Sequence, residues 1–220
     1  GPSAPAAPSA AATPHVAADK VLVGTTSSDN HPTFTGTGTA GDTVNLYVDG
    51  AKVATATVAA NGTFTIGQAA ALTDGAHSIQ YSFTNAGGES SKSPASTLTV
   101  DTTAPTTTVS FGTYTDDAAP TTGDFATGTI TNDTSPTLHG TLSAALGAGD
   151  KILIYKDVGS GFVQVTGATV SMTGATTFDF TDTGLTDGTV ARYTAVVADA
   201  VNNHASPSNT GSLSLTVSLN

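Results

Sequence analysis

The sequence predicts an all-β chain of two tandem β-sandwich domains. Three observations carry this. Short runs of alternating apolar and polar residues recur along the chain, separated by turns bearing Gly, Asn or Asp. No stretch has the period of an amphipathic helix; AALTDG is too short and too closely bounded by glycine. The second half of the chain also repeats the landmarks of the first, in the same order.

The opening, GPSAPAAPSAAATP, lacks the basic end and apolar stretch of a signal peptide. Gly1-Pro2 reads as the scar of a cleaved protease site, and residues 3–14 as an exposed, semi-stiff Pro/Ala linker. Residues 1–18 are therefore expected outside the fold, and the chain is expected to be a piece of something longer. Residues 19–100 form the expected first domain. TVNLYVDG places Val44, Leu46 and Val48 on one strand face, and AHSIQYSFT does the same for Ile79, Tyr81 and Phe83. Asp49-Gly50 stands between TVNLYV and AKVATATV, and Asn61-Gly62 between ATATVA and TFTI; both are hairpin signals. In VDTTAPTTTV, Val100 closes the last strand of the first domain and TTTV opens the next. Pro105 restricts the backbone and offers no N–H, so the two strands are not expected to merge. Residues 101–220 form the second domain.

The repeat is explicit. PTFTGTGTAGDTVNLYVDG from Pro32 is matched by PTLHGTLSAALGAGDKILIYKD from Pro136. LTDGAHSIQYSFTNAGGESSKSPASTLTV from Leu72 is matched by LTDGTVARYTAVVADAVNNHASPSNTGSLSLTV from Leu185. The offset grows from 104 residues at the first pair to 113 at the second, so the second copy is enlarged. The growth centres on GSGFVQVTGATVSMTGATTF. The second copy also carries a long leader, FGTYTDDAAPTTGDFATGTITND, where the first has only GTTSSDNH. About seven strands per copy suit an immunoglobulin-like sandwich, without the cysteine pair and buried Trp of antibody domains.

These residues resemble the bacterial Ig-like repeats of large secreted surface adhesins, the biofilm-associated and RTX type I-secreted kinds. The resemblance rests on PTFTGTGTAGDTV, ALTDGAHSI and the VDTTAP joint. In the second copy it rests on YTDDAAPTTGDFATGTITNDTSPTLHGT. It runs from about residue 19 to the end of the chain. Two loops depart from the family pattern: TNAGGESSKSP has Asn85 and Glu89 where Asp and Asn are usual, and DAVNNHASP lacks a central Gly. The resemblance implies an extracellular protein of the bacterial cell surface, acting in adhesion and biofilm formation, whose repeats extend it from the cell.

Composition narrows the partners. Net charge is −11 and the sequence pI about 4.3, which opposes binding to nucleic acid or to anionic membranes. Residues 1–100 carry a net −3 and residues 101–220 a net −8. No run is long enough to span a membrane. There is no Cys, which excludes disulfides and thiolate metal sites. An extracellular protein without disulfides needs another staple, such as a metal ion.

The acids are the candidate site. Loops of an up-and-down sandwich sort to its two poles. That places Asp29, Asp74 and Asp101 at the C-terminal pole of the first copy and Asp199 at the N-terminal pole of the second, all facing the joint. Asp116, Asp117, Asp133 and Asp187 would gather at the far pole of the second copy. Two carboxylates about 4 Å apart repel by about 4 kcal/mol at an effective dielectric of 20, so such clusters call for a cation. Ca2+ suits them, taking six to eight oxygens from irregular loops. Each Asp has a plainer reading as a turn residue, and Asp101 could open the linker through an Asx turn. The five histidines, His15, His31, His77, His139 and His204, form no close-spaced pair. The single Glu, Glu89, and the absence of Gly-x-Ser-x-Gly, P-loop and dinucleotide motifs argue against an enzyme.

The expected function is that of structural extender repeats, rigidified by Ca2+ at the joint and in the loops. Their partners would be neighbouring Ig-like repeats of the same chain, and the state a monomer. The alternatives are a module binding a host or matrix glycan or protein, centred on the enlarged second copy, or an accessory sandwich of a secreted polysaccharide-degrading enzyme.

Overall fold

A computed structural model describes residues 11–13, 21–22 and 26–220. The chain divides into two units between Thr103 and Ala104, and no helix occurs among the described residues. Gly1-Pro2 and most of the expected linker lie outside the described residues.

The first unit contains Ala11–Thr13 (β1), Val21–Leu22 (β2), Thr26–Ser27 (β3), Thr33–Thr37 (β4) and Thr43–Val48 (β5). It continues with Ala51–Thr57 (β6), Thr63–Ile66 (β7), Gly75–Asn85 (β8), Gly88–Glu89 (β9) and Ser96–Val100 (β10). One sheet has the order β2-β1-β4-β7. The other runs β3-β10-β8-β5-β6, with β9 paired to β8. The second unit contains Val109–Asp116 (β11), Gly123–Ala126 (β12), Thr129–Thr131 (β13), Thr137–Leu142 (β14) and Lys151–Asp157 (β15). Val163–Gln164 (β16), Val170–Met172 (β17), Thr177–Thr181 (β18), Val190–Ala198 (β19) and Leu213–Val217 (β20) complete it. Its sheets are β12-β11-β14-β18-β17 and β13-β20-β19-β15-β16.

Strand for strand, the two sheet orders match except for β17, which has no counterpart among the described residues of the first unit, and β9, which has none in the second. Both units begin with an antiparallel pair in one sheet and a short strand that crosses to the other. There β3 joins β10, and β13 joins β20, in parallel. This corrects two expectations. Ala11–Thr13, assigned above to the linker, pairs with β2 and β4 as a strand. The leader is therefore common to both copies rather than peculiar to the second, and the described residues form ten strands in each unit rather than seven. Pro and Ala dominate the stretch around β1, so it carries little of the alternation by which strands are recognised.

The expected alternation holds where it was read. Val44, Leu46 and Val48 are buried with Ile79, Tyr81, Phe83, Leu98 and Val100 in the first core. The second core gathers Tyr114, Leu138, Ile154, Phe178, Phe180, Tyr193, Leu213 and Leu215. Asp49-Gly50 makes the expected tight turn between β5 and β6, both residues having positive φ, 53° and 83°. Asn61-Gly62 does not close a hairpin. β6 and β7 belong to opposite sheets, and the turn carries the chain across the sandwich, with Gly62 N–H donating to Ala59 O.

The glycine shared by the two Pro-Thr strands has a packing cause. Gly36 lies opposite Phe64, and Gly140 opposite Phe178, on the neighbouring strand. A Cβ at Gly36 would stand 2.4 Å from the tip of Phe64, and one at Gly140 2.2 Å from the tip of Phe178. Each ring lies over the bare backbone of a glycine, which is how the motif places an aromatic side chain in the core.

His77 couples the Asp49 turn to the loop before β8. Its Nδ1 lies 2.7 Å from Asp49 Oδ2 and its Nε2 2.6 Å from the Thr73 carbonyl. Both partners accept, so both ring nitrogens must donate. The Thr73 carbonyl raises the His77 pKa; burial opposes it, and Asp49 adds to the rise. A raised histidine pKa means stability that is complete below the unfolded value of 6.5 and lost as pH climbs through the folded one. Thermal unfolding of the first unit is therefore expected to shift to lower temperature as pH is raised from 6 to 9. Calorimetry of wild type and His77→Gln would check this, the variant losing the dependence.

Candidate functional site

The acids expected at the poles are all placed by the structure, and most have donors of their own. In the first unit, buried Asp29 accepts from His31 N–H through Oδ1 at 2.9 Å. Asp74 is exposed and heavily engaged. Its oxygens accept from the Thr102 and Thr103 hydroxyls, both at 2.6 Å, and from the Thr102 amide. The Thr102 hydroxyl is the largest influence holding its pKa below the ordinary value. Asp101 Oδ1 accepts from Thr103 N–H at 3.0 Å, the Asx turn foreseen as its plainer role. These carboxylates accept from backbone N–H groups of their own loops and chain ends, and they cap them.

In the second unit, Asp199 organises the loop after β19. Its oxygens accept from the amides of Val201 and Asn203 and from the Asn203 side chain. Asp187 is exposed and accepts from Leu219 N–H at 3.0 Å.

Asp116, Asp117 and Asp133 differ from the rest. Asp116 ends β11, and β13 leads directly into Asp133, so the leader folds its two ends together. Asp116 and Asp133 are 3% and 4% exposed. Asp116 accepts from Ala118 N–H and from the Thr131 hydroxyl at 2.6 Å; Asp133 accepts from the amides of Asp117 and Ser135. The Asp117 carboxyl is raised above its ordinary pKa, first by a hydrogen bond with Asp133, then by the charge of Asp133, with a smaller push from Asp116. None of the ion pairs formed among the described residues brings Lys, Arg or His to this corner. Three acids thus crowd together around two that are removed from water.

Among the described residues, no set of three or more His, Cys, Asp or Glu side chains is arranged to hold a metal ion by itself. A cation at this corner would need other oxygens too, and the Thr131 hydroxyl and the Ala119 and Asn132 amide oxygens stand in the same leader. The donor set is all oxygen and short of positive charge. It fits Ca2+ in kind.

Three constellations escaped the reading of the sequence. Glu89 on β9 accepts from Tyr47, from Ser82 at 2.6 Å and from Lys52 at 3.3 Å. The Ser82 hydroxyl, then Tyr47, hold its pKa down at about 2. Lys92 lies 4.3 Å over the Tyr47 ring. This cap explains why Asn45 and Tyr47, on the outward face of β5, are buried. Asp182 pairs with Lys156 at 2.7 Å and accepts from Tyr193. His139 stands between Asp179, 2.7 Å from its Nδ1, and Thr115, 2.6 Å from its Nε2. Each joins residues 20 or more positions apart or on different strands, and nothing in the local sequence signals them.

Residues 23–102 match the model of a family described as Bacterial Ig-like domain. No curated protein matches the chain. Among solved structures, the FN1–FN3 domains of chicken CNTN1 align over 99% of this chain and 69% of theirs, with 13% identity and a TM-score of 0.50. Fibronectin(III)-like modules of Clostridium thermocellum CbhA align over 88% of this chain and 87% of theirs, with 15% identity and a TM-score of 0.44. The BSP domain of a biofilm associated protein aligns over 88% of this chain and 28% of its own length, with 18% identity and a TM-score of 0.26. At these identities the likeness concerns the fold alone: an Ig-like or fibronectin-III-like sandwich.

Proposed function

We propose that the chain is a pair of spacer repeats from a bacterial surface protein, serving adhesion and biofilm formation by extension rather than by catalysis. The match of residues 23–102 to the Bacterial Ig-like domain family supports this, together with a second unit of the same strand order following directly in the chain. Cysteine-free and strongly acidic repeats suit the outside of a cell, where Ca2+ is plentiful.

Ca2+ is proposed as the staple of the second unit, held by Asp116, Asp117 and Asp133 with help from Thr131. When bound, the ion supplies the positive charge this corner lacks. The chain's own part is to hold Asp116 and Asp133 out of water through Thr131, Ser135 and the amides of Asp117 and Ala118. That leaves the leader poised between repulsion and ligation. Asp187, Asp199, Asp74, Asp101 and Asp29 are proposed as subsidiary Ca2+ contacts at the loop ends. Their present role is capping.

Chelation is expected to lower the melting temperature of the second unit and leave the first nearly unchanged. Differential scanning calorimetry with and without EGTA, on wild type and Asp133→Asn, is the measurement. Superimposable scans for wild type would remove calcium from the proposal. A partner protein captured specifically by the isolated pair would argue against a spacer.

A further inference from the structure

We propose that the second unit binds a neutral sugar in a groove beside β17 and β18. The groove has a volume of about 380 Å³ and is lined by the crossing segment 165–169, by Ser171 of β17 and by residues 179–183 at the end of β18. It exists because of the enlargement read in the sequence. In the first unit β6 passes straight to β7 through a short turn. Here β16, the counterpart of β6, is followed by the added strand β17, and the chain from Val165 to Val170 crosses from one sheet to the other.

The lining specifies the chemistry. Among the described residues, the hydroxyls of Thr166, Thr169, Ser171 and Thr183 have no hydrogen-bond partner. Asp179 is bonded through Oδ1 alone, to His139, leaving Oδ2 open to a ligand. Hydroxyls that both donate and accept, beside a carboxylate that accepts, match the vicinal hydroxyls of a sugar. Val165 and Ala168, only partly buried against the core, offer an apolar strip for its C–H face. A cation is the poorer occupant. Both acids in the groove already face a base, Asp179 facing His139 and Asp182 facing Lys156 at 2.7 Å. An anion is excluded by the same carboxylates.

His139 extends the polar surface across the sheet. Through Nε2 it meets the Thr115 hydroxyl, which donates to Asp124 Oδ1 at 2.5 Å, so a hydrogen-bonded row runs from β12 to β18. A chain of sugars could continue along this row from a residue seated in the groove. The site does not depend on the spacer role, and a repeat with an added groove would be a spacer that also holds.

The test is an amide-shift titration of the whole chain by NMR with glucose, galactose, mannose and N-acetylglucosamine in turn, with EGTA present. A monosaccharide in an open groove is expected to bind weakly, at about millimolar Kd. Shifts should centre on residues 165–171 and 179–183. Asp179→Asn is expected to weaken binding by about tenfold, the loss of one charge-assisted hydrogen bond. Ser171→Val, on an exposed edge strand, removes a second contact without touching His139 and should weaken it too. The proposal is overturned if none of the four sugars shifts these amides. It is equally overturned if binding survives both variants unchanged, or if it appears only when Ca2+ replaces EGTA.

Discussion

Replacing Lys156 with methionine is expected to destabilise the second unit by about 2–3 kcal/mol. Lys156 on β15 reaches across the sandwich to Asp182, just beyond β18 in the opposite sheet, at 2.7 Å. The Asp182 side chain is 10% exposed and that of Lys156 21%. Burial alone would push the Asp182 carboxyl up. Lys156, Tyr193 and the Gly184 amide outweigh it and hold the group below its ordinary value of 3.8. Without the ammonium, a carboxylate is left in the interior with only Tyr193 and Gly184 as donors. The penalty falls below that of a fully dry pair because Lys156 still touches water. The sign of the pH dependence gives the cleaner test. In wild type the pair contributes above pH 3.8 and is lost as pH falls through the depressed value. In Lys156→Met burial prevails and the carboxyl rises, so the variant should be most stable in mild acid and lose stability as pH rises. Adding Asp182→Asn, which keeps the shape and removes the charge, should restore most of the loss. Equal melting temperatures for wild type and Lys156→Met at neutral pH would show that the pair carries no weight.

Gly140→Ala is expected to cost about 2 kcal/mol, lowering the melting temperature of the second unit by roughly 6–10 °C. The added methyl would meet Phe178 at 2.2 and 2.3 Å, closer than any carbon contact allows. Phe178 is 1% exposed and packs edge-on against Phe111, with ring centroids 5.6 Å apart, so it has little room to withdraw. Shortening the ring should relieve the clash. Phe178→Leu is destabilising alone, yet combined with Gly140→Ala it should cost less than the sum of the two. Gly36→Ala against Phe64 should behave alike in the first unit, where the approach is 2.4 Å. Additive costs in the double variant would contradict this packing.

The two-copy sandwich was legible because alternation and turn chemistry are local. Val44, Leu46 and Val48 announce a buried face whatever surrounds them, and Asp49-Gly50 demands its tight turn from its own φ preferences. The repeat gave the shared glycine but not its reason, which is the ring of Phe64 or Phe178 on another strand. The leader of the first unit escaped notice because β1 and β2 are short and lie in Ala-rich sequence without alternation. Asn61-Gly62 misled for a related reason: a turn sequence states how the chain bends, not which sheet receives it.

For the carboxylates the division is sharper. Sorting loops to the poles of a sandwich gathered Asp116, Asp117, Asp133 and Asp187 as one group, and the resemblance of the leader to longer adhesin repeats favoured the first three. Which acids are buried, and which spend their lone pairs on amides, depends on neighbours far away in sequence. Asp74 meets Thr102 and Thr103 across 28 and 29 positions, and Asp182 meets Lys156 across the sandwich. The sequence by itself determined the strand pattern, the turn residues, the duplication and the negative charge, since each follows from the chemistry of adjacent residues. Only the tertiary structure decided which charges are paired, which histidines bridge acceptors and where a groove opens, because packing two sheets face to face sets the distances between residues that the chain keeps apart.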